Sequence, residues 1–169
     1  MKPMIQESTT LVHHLHPITS ARLMTADLYT ALRSAALLFA EPGIGLLVIC
    51  DGDGKAAGVL SKSDLVRHLA TSKSNEASVT ALMSTPIVSC GPDDGLHSVW
   101  QMMMERSLQN IPVLDAGAKP VGILDIRDAL KALLEQEEIQ EHMLTDYIAG
   151  IGYREEPAKP RYLQDTSPP

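Results

Sequence analysis

Apolar and polar positions along this chain follow two periods that alternate in a fixed order. Residues 28–39 are Leu- and Ala-rich with polar breaks at helical spacing, which predicts a helix. Residues 96–106 do the same, with Leu96, Val99, Met103 and Met104 on the i, i+3, i+7, i+8 stripe of one helical face. A short apolar run of strand type follows each: Leu46-Leu47-Val48-Ile49 and Ile111-Pro112-Val113-Leu114. The turns Asp51-Gly52-Asp53-Gly54 and Asp115-Ala116-Gly117-Ala118 then favour hairpins. Returning strands are expected at Ala57-Gly58-Val59-Leu60 and Val121-Gly122-Ile123-Leu124, followed by helices over residues 63–70 and 126–136. One further extended stretch precedes each copy, near Arg22-Leu23-Met24 and near Pro86-Ile87-Val88-Ser89.

The order is the same because the chain repeats itself. With a shift of 64 residues, positions 32–69 fall on 96–133 without a gap, and nine of the 38 pairs are identical. Unrelated sequence would give about two or three. The identities include Asp51/Asp115, Lys55/Lys119, Gly58/Gly122, Leu60/Leu124 and Asp64/Asp128. The expected fold is therefore α/β (α+β), two tandem β-α-β-β-α units that share a core neither could close alone. The predicted organisation is a lead-in over 1–11, repeats over 12–72 and 73–136, a helix over 137–152 and a disordered, proline-rich tail over 153–169. In the helix, Ile139, Met143, Leu144, Tyr147 and Ile148 recur at helical spacing opposite acidic residues. That stripe must cover either its own domain or a second subunit.

Composition narrows the function. Apolar residues make up 44% with one Phe and one Trp, so the core must be aliphatic. The net charge of -7 argues against nucleic acid, whose backbone needs a basic face. It leaves room for one small anion in a pocket rich in N–H donors. Two cysteines, Cys50 and Cys90, cannot form a disulfide framework and read as small core residues. No apolar run is long enough to span a bilayer and no signal peptide is visible, so a cytoplasmic protein without membrane contact is expected. His13, His14 and His16 suggest a metal cluster, but no cysteine or carboxylate lies nearby in sequence, and a polar lead-in with no metal is expected. Asp51-Gly52-Asp53-Gly54 lacks the later ligands of a calcium loop. No nucleophile–base set, phosphate loop or dinucleotide fingerprint is present, so no enzymatic activity is expected.

The motif that carries chemistry is Gly58-Val59-Leu60-Ser61-Lys62-Ser63-Asp64, with a partial copy at Gly122-Ile123-Leu124-Asp125-Ile126-Arg127-Asp128. A strand passing into a helix presents backbone N–H groups and the positive end of the helix dipole to an anion. Ser61 can donate to a phosphate, Lys62 adds charge, and Asp64 can accept from both hydroxyls of a ribose. The same residues also serve a plain helix cap. In copy two Asp125 replaces the hydroxyl residue and would repel a phosphate unless Arg127 or a metal ion intervenes, while Asp128 could still hold a ribose.

With this motif twice, each time after a hairpin and opening a helix, the chain resembles a tandem pair of CBS domains, a Bateman module, over about residues 12–136. The stretches Ala81-Leu82-Met83-Ser84-Thr85-Pro86-Ile87-Val88 and Asn110-Ile111-Pro112-Val113-Leu114-Asp115 are also similar to that family. The resemblance implies pseudo-twofold packing with two clefts that take an adenine nucleotide (AMP, ADP or ATP) or S-adenosylmethionine. It implies adenine near Thr19, Ala21, Leu46 and Leu47 in the first cleft, and near Pro86, Ile87, Asn110 and Ile111 in the second. It also implies a homodimer that reports ligand state to a regulated partner. The competing expectation is a ligand-free dimerisation or interaction scaffold, which the Asp125 substitution favours.

Overall fold

The structure, a computed structural model, describes residues 9–72 and 76–152. The predicted tail and part of the polar linker between repeats lie outside the described residues. Among the described residues the chain divides into two units, between Leu134 and Glu135.

In the first unit, β2 (Leu46–Cys50) is buried along its whole length and forms the middle of a three-stranded sheet. It pairs in parallel with β1 (Thr25–Asp27) and antiparallel with β3 (Ala56–Ser61). The second repeat supplies the antiparallel pair β4 (Asn110–Leu114) and β5 (Pro120–Asp125). The hairpins match pair by pair under the 64-residue shift: Leu46↔Ser61 becomes Asn110↔Asp125, and Ile49↔Gly58 becomes Val113↔Gly122. Both turns are held the same way. Asp51 Oδ1 accepts from the N–H groups of Asp53 and Lys55, and Asp115 Oδ1 from those of Gly117 and Lys119, all at 2.9 Å.

One proline makes the repeats differ. Val48 donates its N–H to Met24 O, which ties the β1 segment to β2. Pro112 stands at the matching place and has no N–H to give. The strand expected over residues 86–89 is therefore absent, and only the bridge Cys90↔Val113 keeps the register of Ala26↔Ile49. The first repeat's strand lies three residues later than expected because α1 (His16–Ala21) occupies the preceding segment. That helix, and the tight helical turn Val12–Leu15 before it, replace the polar lead-in expected for His13, His14 and His16. The helix α2 (Leu32–Phe39) starts four residues later than its apolar pattern suggested, since Thr30 N donates to Asp27 O and closes a turn there.

The cores interlock. Val12 and Leu15 from the chain's start pack with Leu96, Met103, Ile111 and Leu124 of the second repeat. Val79, on α4 (Val79–Leu82), packs with Leu32, Leu47, Ile49 and Leu60 of the first. A third cluster, Leu46, Val48, Cys50 and Ile123, lies between the repeats. Leu47, Ile49, Leu60 and Leu124 are wholly buried, each contributing about 1.5–3 kcal/mol of transfer free energy. Each repeat is thus finished by the segment that leads into the other. Cys50 and Cys90 are buried, as expected of core residues. Of the three consecutive methionines, Met103 fills the core while Met104 is exposed.

The remaining helices are α3 (Lys62–Thr71), α5 (Leu96–Glu105) and α6 (Ile126–Gly152). Two helices were expected where α6 runs unbroken, because Leu134-Glu135-Gln136-Glu137-Glu138 is made of strong helix formers with no glycine or proline to stop it. In the second unit, Ile139, Met143, Leu144, Tyr147 and Ile148 of this helix are exposed. Among the described residues no helix is long and apolar enough to cross a membrane.

Candidate functional site

Ser61 ends β3 and is the N-cap of α3, with extended backbone (φ -89°, ψ 155°). Its Oγ accepts from Asp64 N at 3.1 Å and donates to Asp64 Oδ2 at 2.6 Å, while Ser61 N donates to the same carboxylate oxygen at 3.3 Å. This is a reciprocal capping box. Asp64 Oδ1 accepts from Arg67 at 3.3 Å, a pair whose arginine side chain is 73% exposed and therefore easily exchanged. Lys62 donates its N–H to Gly45 O, and its side chain is exposed and does not line the cleft beside it.

That cleft has a volume of about 420 Å³. Ser61, Ser63 and Asp64 form one wall with Leu46 and Val59. The opposite wall comes from the second repeat: Ser84, Pro86 and Val88 on one segment, and Ser107, Gln109, Asn110 and Ile111 at the entry to β4. Ser84 is held against the first repeat by exchanging backbone hydrogen bonds with Val59, at 2.7 and 3.2 Å. Having lost its strand to Pro112, the 84–88 segment is free to serve as this wall. Asn110 lies over bare backbone, since a Cβ on Gly45 would come within 3.0 Å of its Nδ2.

The grouping of residues differs from the expectation. Pro86, Asn110 and Ile111, expected in the second cleft, face Ser61 and Asp64 in the first, along with Leu46. Thr19 and Ala21, expected there, do not line it. Thr19 is buried and presses on Gly122, where a Cβ would meet its Oγ1 at 2.7 Å and its backbone carbon at 3.0 Å. Ala21 lines a separate, more open depression with Pro17, Arg22 and Ile44. Leu47 is in the first-repeat core, and Ile87 is half-buried outside the cleft. The crossover of the leading segments causes the exchange. The copy-two motif is closed by ion pairs. Asp125 is buried and takes Arg127 Nε and Nη2 on its two oxygens at 3.0 and 2.8 Å. Burial would raise the Asp125 pKa, but the Arg127 hydrogen bonds outweigh it and hold the carboxyl below its usual range. Asp128 Oδ2 accepts from Arg22 Nε at 2.8 Å.

Sequence reasoning did not find Ser63, Ser84, Ser107 or Gln109. For Ser107 a signal existed. It has a φ of 54°, where the first repeat has Gly43 at 82°. A left-handed serine costs about 1 kcal/mol relative to glycine, and here the side chain it retains lines the cleft. Ser107→Gly is expected to raise stability to urea by about 1 kcal/mol, read from the shift of the urea midpoint.

A second depression, about 520 Å³, is lined by Asp27, Tyr29, Asp51 and Ser34 within the first repeat. Among the described residues its charged groups are the carboxylates of Asp27 and Asp51. Neither cysteine is a poised nucleophile: burial, with Asp94 nearby, pushes the Cys90 thiol up to about 12, and burial followed by Asp51 and Asp27 raises that of Cys50.

Paired α/β repeats with a polar-edged cleft between them define the class of protein to which this chain belongs. The profile of the CBS domain matches residues 14–71 and 79–135, and the chain belongs to that family as a tandem CBS pair. It is similar to an uncharacterized 17.7 kDa protein of Acidianus ambivalens, 22% identical over 135 residues that cover 80% of this chain and 82% of the relative. Two other curated relatives are longer, and the chain spans 47% and 35% of their lengths. Among solved structures, the CBS domain pair of protein MJ0100, in complex with 5′-methylthioadenosine and S-adenosyl-L-methionine, superposes with a TM-score of 0.64 at 24% identity, covering 76% of this chain and 98% of that one. CBSX2 in complex with AMP gives 0.63 at 21% identity, covering 75% and 98%.

Proposed function

We propose that this chain is a non-catalytic regulatory module that senses an adenine nucleotide or related adenosine ligand in the cleft between its repeats. The observation that carries this is the meeting of Ser61 and Asp64 with Pro86, Val88 and Asn110 across a space of about 420 Å³. That volume falls in the usual range for small-ligand sites, about 300–1,000 Å³. Asp64 accepts the two ribose hydroxyls once Arg67 gives way, and the apolar edges of Leu46, Val59, Pro86 and Val88 take the adenine. The Asn110 and Gln109 amides supply donors and acceptors for its polar rim. Solved relatives hold AMP, 5′-methylthioadenosine and S-adenosyl-L-methionine, which share the adenosine group these residues suit.

The lining also ranks ligands. Among the described residues that line the cleft, Asp64 is the single charged one. A triphosphate would meet a carboxylate with no cation in the wall, whereas one phosphate is served by the α3 N-terminus and a sulfonium is attracted. AMP and S-adenosylmethionine are favoured over ADP and ATP on this ground. Because the walls come from different repeats, binding biases their packing, and that bias is the output. A second copy of the chain or a regulated partner reads it. Val66 and Leu69 on α3 and Leu130 and Leu134 on α6 are exposed apolar side chains suited to a homodimer contact.

A ligand-free scaffold is the alternative, favoured by the way Ser61 and Asp64 already satisfy each other. Thermal unfolding with AMP, ATP, S-adenosylmethionine and NADH separates the two. A ligand present at about 100 times its Kd stabilises by about 2.7 kcal/mol, a rise of several degrees. AMP or S-adenosylmethionine is expected to give the largest rise, and no rise with any of the four at millimolar concentration overturns the sensor.

A further inference from the structure

We infer that the second cleft is filled by the protein itself: the Arg22 guanidinium holds Asp128 where a ligand would be held, so each chain takes one ligand and not two. The inference rests on the sensor reading of the first cleft and goes beyond it in assigning the stoichiometry and the residue that sets it. Pseudo-symmetry makes the comparison direct. The hairpin registers place Asp128 at the position of Asp64 and Asp125 at that of Ser61. Counting back from the paired bridges of Ala26 and Cys90, Arg22 stands where the second repeat has Pro86.

Those replacements change the chemistry of the wall. Pro86 presents an apolar edge with no donor, and leaves Asp64 to a mostly exposed arginine of its own helix. Arg22 instead reaches across from the first repeat. Its Nε donates to Asp128 Oδ2 at 2.8 Å and its Nη1 to Gly43 O at 3.3 Å, so one planar group joins both sides of the cleft. The two side chains of the pair are only 26% and 20% exposed. Three N–H groups of Arg127 occupy both oxygens of Asp125, and no hydroxyl stands there to donate to a phosphate. The depression that remains beside Arg22 is lined by Pro17, Ile18, Ala21, Pro42 and Ile44 and by no residue of the copy-two motif.

Titration calorimetry with AMP and with S-adenosylmethionine, on the full chain, tests this. One equivalent per chain is expected, lost altogether in Asp64→Ala. Two equivalents, or residual binding in Asp64→Ala that disappears when Asp128→Ala is added, overturns the inference. Arg22→Ala combined with Asp125→Ser is expected to bring the count to two, and a folded double variant that stays at one shows that Arg22 is not what closes the cleft. No heat with either ligand overturns the sensor reading instead. The seal is then decided by urea unfolding of Arg22→Ala, Asp128→Asn and the pair. Each substitution is expected to lose at least half its effect in the presence of the other, and simple additivity rejects the seal.

Discussion

Gly122→Ala is expected to be the more damaging of the two motif-glycine substitutions, lowering stability to urea by about 2–3 kcal/mol, near the upper end of ordinary overpacking costs. The added methyl would sit 2.7 Å from Thr19 Oγ1, 2.8 Å from Thr19 Cβ and 3.0 Å from the Thr19 backbone carbon. Thr19 is buried and β-branched, and it lies on a helix packed across β5, so relief requires moving α1 as a body. Gly58→Ala looks worse by distance alone, since its methyl would come within 2.5 Å of Met83 Sδ. That atom is the far part of a flexible thioether that can swing away, while Met83 Cβ is 3.2 Å distant. Less than half the cost is expected there. Against a total stability of about 5–15 kcal/mol for a domain, the difference is easily measured from the two urea midpoints. If Gly58→Ala proves the weaker protein, the close approach of α1 to β5 is not what the glycine serves. The result bears on function, because the same helix delivers Arg22 to the second cleft.

Both motif glycines stand out in the sequence, and so does everything that depends on the 64-residue shift. The shift carries the turn aspartates Asp51 and Asp115 and the apolar runs together, so it shows that the two hairpins correspond residue by residue. What it does not convey is partnership between segments distant along the chain. Val12 and Leu15 complete the second-repeat core and Val79 the first, and no periodicity records that exchange. The expected composition of each cleft was therefore crossed: Pro86 and Asn110 face Asp64, and Arg22 faces Asp128. Pro112 in the place of Val48 is a difference that the 64-residue shift exposes. Its consequence required the partner strand, because the missing N–H matters only where Val48 shows what that N–H would have done. The continuity of α6 was misjudged for a simpler reason. The end of the second repeat near Gln136 resembles a boundary, yet the backbone has no cause to stop there.

The substitution that separates the two functional readings is Asp64→Ala, and its effect on ligand binding is expected to be the largest of any single change. Two consequences follow from different bonds. Loss of the carboxylate removes half of the capping box, since Ser61 N loses its acceptor, and this costs about 1 kcal/mol whatever the protein does. On the sensor reading, loss of the same carboxylate also leaves two ribose hydroxyls without charge-assisted acceptors in the cleft. Each such hydrogen bond contributes about 1.5–3 kcal/mol, so the affinity for AMP is expected to fall by about two orders of magnitude or more. The ligand-induced rise in unfolding temperature should then vanish at concentrations that saturate the native chain. A scaffold would show the first effect without the second. Asp64→Asn refines the comparison: the amide oxygen can still accept from Ser61 N, so stability is largely kept, while the charge is gone and binding still drops. Native-like affinity in Asp64→Asn and Asp64→Ala together would mean that the acid at the start of α3 is a cap and nothing more, and that any adenosine ligand is held elsewhere.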